Sequence, residues 1–303
     1  MSVSALLIVL AAQQIRIPLG RPPQIERLPA PIATAGRAYA RVCKDSDDWD
    51  KAAPPVRIHG NSYFVGTCGI SAILITGTDG HVLIDSGTEA GADLVAANIR
   101  RLGFKLSDVR FLLHSHEHHD HVGGMARIQQ LTGAQLVASA SAATVFKSGV
   151  PATTDPQSGM IPPIPIARVD RIVRDSEKIR LGAIQLTAVE TRGHTDGALS
   201  WQWVSCEGGV CRTMVYADSL SPVSRDGYRF RDQPNLVAAF RASIERVAKL
   251  ECDILLTPHP SASNMRARFA GKAALFDVRG CADYAAGRIR LLDERLAREA
   301  LTR

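Results

Sequence analysis

Apolar residues recur along this chain at two spacings, and the alternation between them predicts its layout. Ile70–Ile75 and His81–Ile84 are short apolar runs of the β type, and Gly77-Thr78-Asp79-Gly80 between them is a hairpin signal. Residues 89–102 carry Ala, Leu, Val and Ile at helical spacing before Gly103. Val109–Leu113 is another apolar strand and ends directly at a run of histidines. A helix is predicted over Ala126–Leu131 and a strand over Gln135–Ala138. The Pro-rich stretch from Pro151 to Pro165 is long enough for a functional lid rather than a plain connection. Strands return at Ile184–Val189, Leu199–Val204 and Thr213–Tyr216, followed by a helix over Asn235–Leu250, a strand over Asp253–Leu256 and a helix over Ala282–Ala300. Strands and helices interleave throughout, which predicts an α/β layered fold. Nothing within residues 60–290 reads as a linker, so a single domain is expected over 41–303.

The front of the chain differs. Residues 3–12 are apolar, with Ala11 and Ala12 where a signal peptidase cuts, and residues 1–12 are predicted as a signal peptide although the preceding residues lack a positive charge. The stretch is too short to span a bilayer as a helix. Residues 13–40 are rich in Pro and Ala with little periodicity, predicting a loosely structured arm. The composition is globular, with 46% hydrophobic and 22% charged residues. The net charge of +6 is scattered without blocks, and aromatics make up only 5%, which disfavours nucleic acid as a partner. Six cysteines allow fifteen connectivities. Cys206 and Cys211 flank Glu207-Gly208-Gly209-Val210 between two strand-like runs and are placed to pair across a hairpin turn; proximity then suggests Cys43–Cys68 and Cys252–Cys281. An oxidising compartment, the periplasm, follows from the leader and the cysteines together.

Five of the nine histidines lie in His114-Ser115-His116-Glu117-His118-His119-Asp120-His121. At a strand end, side chains two apart point the same way, so His116 and His118 are placed to hold one metal together. Asp120 and His121 come where the chain turns toward a helix and address a second metal nearby. Imidazole and carboxylate donors suit zinc with positions left for water. Gly123-Gly124 lets the backbone turn tightly beneath the run. His114 is expected to face the metal side as support and His119 to be a solvent-exposed bystander rather than the alternative, a pocket-wall residue, while the isolated His59 and His81 read as ordinary core or surface residues.

This run resembles the motif of the metallo-β-lactamase superfamily, and the likeness extends over most of the chain. Asp85 in Val82-Leu83-Ile84-Asp85-Ser86-Gly87-Thr88, Gly193-His194-Thr195 and Leu256-Thr257-Pro258-His259-Pro260 match further motifs of that family in the right order. The resemblance implies a four-layer αββα sandwich and two zinc ions, one held by His116, His118 and His194, the other by Asp120, His121 and His259. A zinc-bound hydroxide would be the nucleophile, with Asp120 also orienting it and Asp85 supporting the site.

Ala217-Asp218-Ser219-Leu220-Ser221 narrows the family reading. Glyoxalase-type members carry a metal-bridging aspartate in this region, and first-subclass β-lactamases carry a cysteine ligand. The stretch here looks like subclass B3 β-lactamases, in which the loop gives no ligand and its serines bind the substrate carboxylate. Ser261-Ala262-Ser263 after His259 and the cysteine layout are similar to that subclass too. Gln157 matches a glutamine that some relatives set over the substrate carbonyl, and Arg225 is a candidate for attracting a carboxylate. The resemblance therefore implies a zinc β-lactamase acting on small-molecule penicillins, cephalosporins and carbapenems, with no membrane partner once the signal is removed; the oligomeric state is not legible in the sequence, and a monomer is the default expectation. A glyoxalase II-like thioester hydrolase or a lactonase of the same superfamily is the alternative.

Overall fold

The computed structural model describes residues 32–44 and 48–301; the signal-peptide reading of residues 1–12 falls outside them. Helix α1 (Ile32–Val42) comes first, followed by β1 (Val56–His59), β2 (Ser62–Phe64), β3 (Ile73–Gly77) and β4 (Gly80–Ile84). Helix α2 (Gly91–Arg101), β5 (Val109–Leu113), α3 (His119–Val122), α4 (Met125–Thr132), β6 (Gln135–Ala138), α5 (Ala140–Ser148) and β7 (Val169–Ile172) complete the first half. These seven strands form one sheet in sequence order, antiparallel through β4 and parallel from β4 to β7. The second sheet contains β8 (Lys178–Leu181), β9 (Ile184–Glu190), β10 (Leu199–Glu207), β11 (Val210–Tyr216) and, after α6 (Pro234–Ala248), β12 (Ile254–Leu256), in the order β12-β11-β10-β9-β8. Helices α7 (Met265–Phe269) and α8 (Gly280–Leu301) close the chain.

Side chains alternate faces along a strand, and here both faces are buried. Ile73 and Ile75 of β3 and Val82 and Ile84 of β4 meet Leu186, Trp201, Met214 and Tyr216 of the second sheet in the central core. Leu74 and Leu83, between them in sequence, point the other way, onto Val95 and Ile99 of α2, Ile128 of α4 and Phe146 of α5. Val215 turns outward from β11 to meet Phe240 and Ile244 of α6 and Tyr284 of α8. Helices outside, two sheets inside: the expected αββα sandwich is the observed one.

Residues 32–40 depart from the predicted loose arm. They belong to α1, whose Tyr39 is buried with its ring 5.1 Å from Phe64 and 5.5 Å from Phe269. The pattern reading also passed over β1, β2, α5, β7 and β8. The last two are edge strands of four residues (Val-Asp-Arg-Ile and Lys-Ile-Arg-Leu) whose outward charges protect a sheet edge while diluting the apolar signal. Helix α5 did carry signals, an N-cap at Ser139, whose hydroxyl accepts from Ala142 N, and a left-handed Gly149 at its end. Three disulfides, Cys43–Cys68, Cys206–Cys211 and Cys252–Cys281, match the expected pairing. Closing loops of 25 and 29 residues, the first and last restrict the unfolded chain most, by about 3.5 kcal/mol each.

Candidate metal centre

The chemistry-bearing residues gather at the carboxyl ends of β4, β5, β9, β11 and β12, where loops leave the two sheets side by side. Asp85 follows β4 in a left-handed conformation, φ 63°. Fully buried, its carboxylate accepts from Ser115 N (2.7 Å), Ser115 Oγ (2.7 Å) and Tyr216 Oη (2.8 Å), which fixes the histidine run at its start. Burial pushes Asp85 up to about 7, against these hydrogen bonds. The run then enters the short α3, and Ser86 N and Oγ both donate to His121 O. Gly123 and Gly124 serve here for room rather than for an unusual turn. A Cβ on Gly123 would lie 2.4 Å from His119 O, and one on Gly124 would lie 2.8 Å from Ser86 O.

Donor atoms of His116, His118 and His194 lie within 4.8 Å of one another, as do those of His116, Asp120 and His121. His259 joins the second set: its Nε2 is 3.3 Å from both Asp120 Oδ2 and His121 Nε2, and His121 Nε2 is 3.0 Å from Asp120 Oδ2. All six expected donors therefore converge. Each of four rings has its other nitrogen occupied or faced from behind. His116 Nδ1 donates to Asp218 Oδ1 (2.8 Å), His194 Nδ1 to Ser221 O (2.8 Å) and His118 Nε2 to Asp155 Oδ2 (3.0 Å), while His121 Nδ1 faces Asp85 Oδ2 at 3.8 Å. Outward anchoring of this kind fixes tautomer and ring orientation and leaves one nitrogen per ring toward the shared space.

The electrostatics suit cation binding. Burial, then the neighbouring imidazoles, hold His116 and His194 well below the usual imidazole range, so both rings are neutral at pH 7, the form a metal would need. Burial would raise Asp120, but the adjacent His121 and His259 outweigh it and keep the carboxylate ionised. Imidazole nitrogens with one carboxylate oxygen are a donor set that fits zinc.

Several readings of individual residues need correction. His114 does not face the metal donors. It is fully buried, accepts from Ser139 N at 3.1 Å and packs edge-on against Phe146, 5.7 Å away; burial lowers it to about 4. His119 is only half-buried rather than freely exposed. Arg225 directs one guanidinium nitrogen at the backbone, donating from Nη1 to Asp155 O and Pro156 O. Gln157 does reach the site, with Nε2 3.5 Å from His194 Nε2. Ser219 Oγ is buried without a hydrogen-bond partner, and Ser221 Oγ lies 3.3 Å from His194 Nδ1.

Two residues were missed. Asp155 stood unremarked beside Gln157. Glu117 sits between two histidines, and a strand-end position that points away from its neighbours was its one signal. It is buried, accepts from Thr195 Oγ1 (2.7 Å) and Gly197 N (2.8 Å), and so ties the histidine run to the loop carrying His194. Burial pushes Glu117 up to about 7. Glu117→Ala leaves both donors unsatisfied, and a loss of about 2–5 kcal/mol in urea unfolding of the metal-free chain is expected. Glu117→Gln, which keeps an acceptor for Gly197 N, should recover part of it; equal losses in the two variants would contradict this role.

A family model described as the metallo-beta-lactamase superfamily matches residues 65–259. The chain belongs to that superfamily. Among solved structures, the metallo-beta-lactamase MIM-2 is 55% identical with a TM-score of 0.85, covering 88% of this chain and 99% of its own. MEM-A1, a subclass B3 metallo-beta-lactamase from a soil metagenome library, is 42% identical with a TM-score of 0.81, covering 84% and 100%. These neighbours put the chain in subclass B3. Curated relatives are more distant: a hydroxyacylglutathione hydrolase of Cereibacter sphaeroides is 25% identical over 182 residues, 60% of this chain. The chain spans only 58% of that relative's length.

Proposed function

We propose that this metallo-beta-lactamase superfamily member is a periplasmic dizinc β-lactamase that hydrolyses the cyclic amide of penicillins, cephalosporins and carbapenems. His116, His118 and His194 hold one zinc; Asp120, His121 and His259 hold the other. Bound zinc supplies an activated water at neutral pH and an electrophile for the amide carbonyl. Asp120, kept ionised, orients that water. Gln157, reaching over His194, meets the carbonyl side of the substrate. Ser219 and Ser221 hold the substrate carboxylate and contribute orientation rather than chemistry.

The observation that carries this reading against thioester hydrolysis is the carboxylate of Asp218. It is fully buried and bonded to His116 Nδ1 at 2.8 Å, behind the ring rather than between the two donor sets. It therefore acts as an anchor for His116, and the serines after it are left for substrate. Export through a cleaved signal peptide accords with three disulfides, which persist in oxidising compartments.

The test is steady-state hydrolysis of a carbapenem, a cephalosporin and a glutathione thioester, each with and without a chelator. β-Lactam turnover that the chelator abolishes and zinc restores is expected; turnover of the thioester alone would overturn the reading. Replacing Ser219 and Ser221 together by alanine should raise KM at least tenfold more than it lowers kcat, by about 1.4 kcal/mol or more of lost binding. A loss confined to kcat would assign the serines to the chemistry instead.

A further inference from the structure

The long loop between α5 and β7 touches the metal donors through Asp155. Its side chain and that of His118 are 5% and 3% exposed, with Oδ2 3.0 Å from His118 Nε2. The other oxygen accepts from Gln157 N at 2.7 Å, folding the chain into a tight turn around the carboxylate. The remaining histidine anchors sit on strand ends: Asp218 and Ser221 beyond β11, Asp85 beyond β4. His118 alone takes its anchor from this loop, outside both sheets.

Arg225 grips the same segment from the opposite side. Its Nη1 donates to Asp155 O at 2.9 Å and its backbone N to Pro156 O at 2.9 Å, with the guanidinium 5.1 Å from the Tyr228 ring centre. Behind the segment, toward α6, is a cavity of about 270 Å³ lined by Thr154, Asp155, Tyr228, Asn235, Leu236 and Ala239. On that side, polar contacts hold the segment beside open space.

We infer that Asp155 is a positioning residue that couples the seating of this loop to metal bound at His118. A cation on the inner nitrogen of an imidazole makes the outer N–H a stronger donor, and a carboxylate on that N–H makes the inner nitrogen a better ligand. Each event therefore strengthens the other, and by linkage the coupling is equal in both directions. Gln157 lies two residues beyond Asp155 and, with the turn in place, reaches to 3.5 Å from His194 Nε2. Metal loading in this way also assembles the loop's share of the substrate pocket. The inference rests on the zinc reading above but not on the identity of the substrate.

The experiment measures zinc affinity by competition with a chromophoric chelator, and hydrogen–deuterium exchange of residues 149–168 with and without zinc. In the native chain zinc should slow exchange in that loop. Asp155→Ala should weaken zinc binding about 10–100-fold and remove the effect of zinc on loop exchange, even at zinc concentrations that saturate the site. Asp155→Asn, which keeps one acceptor, should fall between native and alanine. Native-like affinity and zinc-dependent protection in both variants would overturn the coupling. A native chain that binds no zinc would overturn the zinc reading itself, an outcome distinct from the first.

Discussion

Replacing Asp120 by alanine is expected to lower kcat for β-lactam hydrolysis about 10²–10⁴-fold and to leave one zinc bound in place of the two proposed for the native chain. Asp120 is the carboxylate within the two donor sets described, and its Oδ2 stands 3.0 Å from His121 Nε2 and 3.3 Å from His259 Nε2. Two imidazoles remain on that side once it is removed, and no anion is left to orient the attacking water. Asp120→Asn keeps an oxygen ligand without the charge and should lie between the two. Metal analysis by mass spectrometry beside steady-state kinetics checks both halves; two bound zincs with native kcat in Asp120→Ala would refute the role.

Asp218→Ala should act differently. Its carboxylate touches His116 Nδ1, and its backbone carbonyl is bonded to Tyr284 Oη at 2.8 Å. The substitution is expected to weaken zinc affinity about 10–100-fold and to cost about 1–3 kcal/mol through the buried imidazole left unpaired. Added zinc should restore turnover. In Asp218→Asn the amide oxygen still accepts from His116, so the loss should be small. Were Asp218 a metal bridge, as in the thioester-hydrolysing branch of the superfamily, the asparagine variant would lose a zinc that excess metal could not replace. Titrating activity against zinc in the two variants separates the roles.

The donors were legible because metal chemistry restricts residue type and spacing together: His116 and His118 stand two apart just beyond β5, with Asp120 and His121 directly after them. The sandwich was legible where strands are apolar on both faces, as in β3, β4 and β5. It was obscured where outward charges broke the pattern, as in β7 and β8. The anchors behind the ligands were hardest to see. Asp155 is 37 residues from the histidine it holds and Glu117 is 80 from the backbone amide it caps; tertiary folding alone brings such pairs together. His114 misled for a related reason. Two-residue periodicity relative to His116 assumes that the strand continues, whereas β5 ends at Leu113 and the chain bends there.

Five imidazoles and a carboxylate packed at ring spacings of 4.2–4.9 Å have a consequence beyond catalysis. The unfolded chain gathers no such set, so zinc bound as proposed favours the native state by mass action. Each tenfold excess of free zinc above the dissociation constant adds about 1.4 kcal/mol to folding. Scarcity of zinc would then do more than idle the enzyme: the metal-starved chain would open more often, meet proteases, and fall in abundance. Activity would track the metal supply through how many molecules survive as well as through how fast each one works.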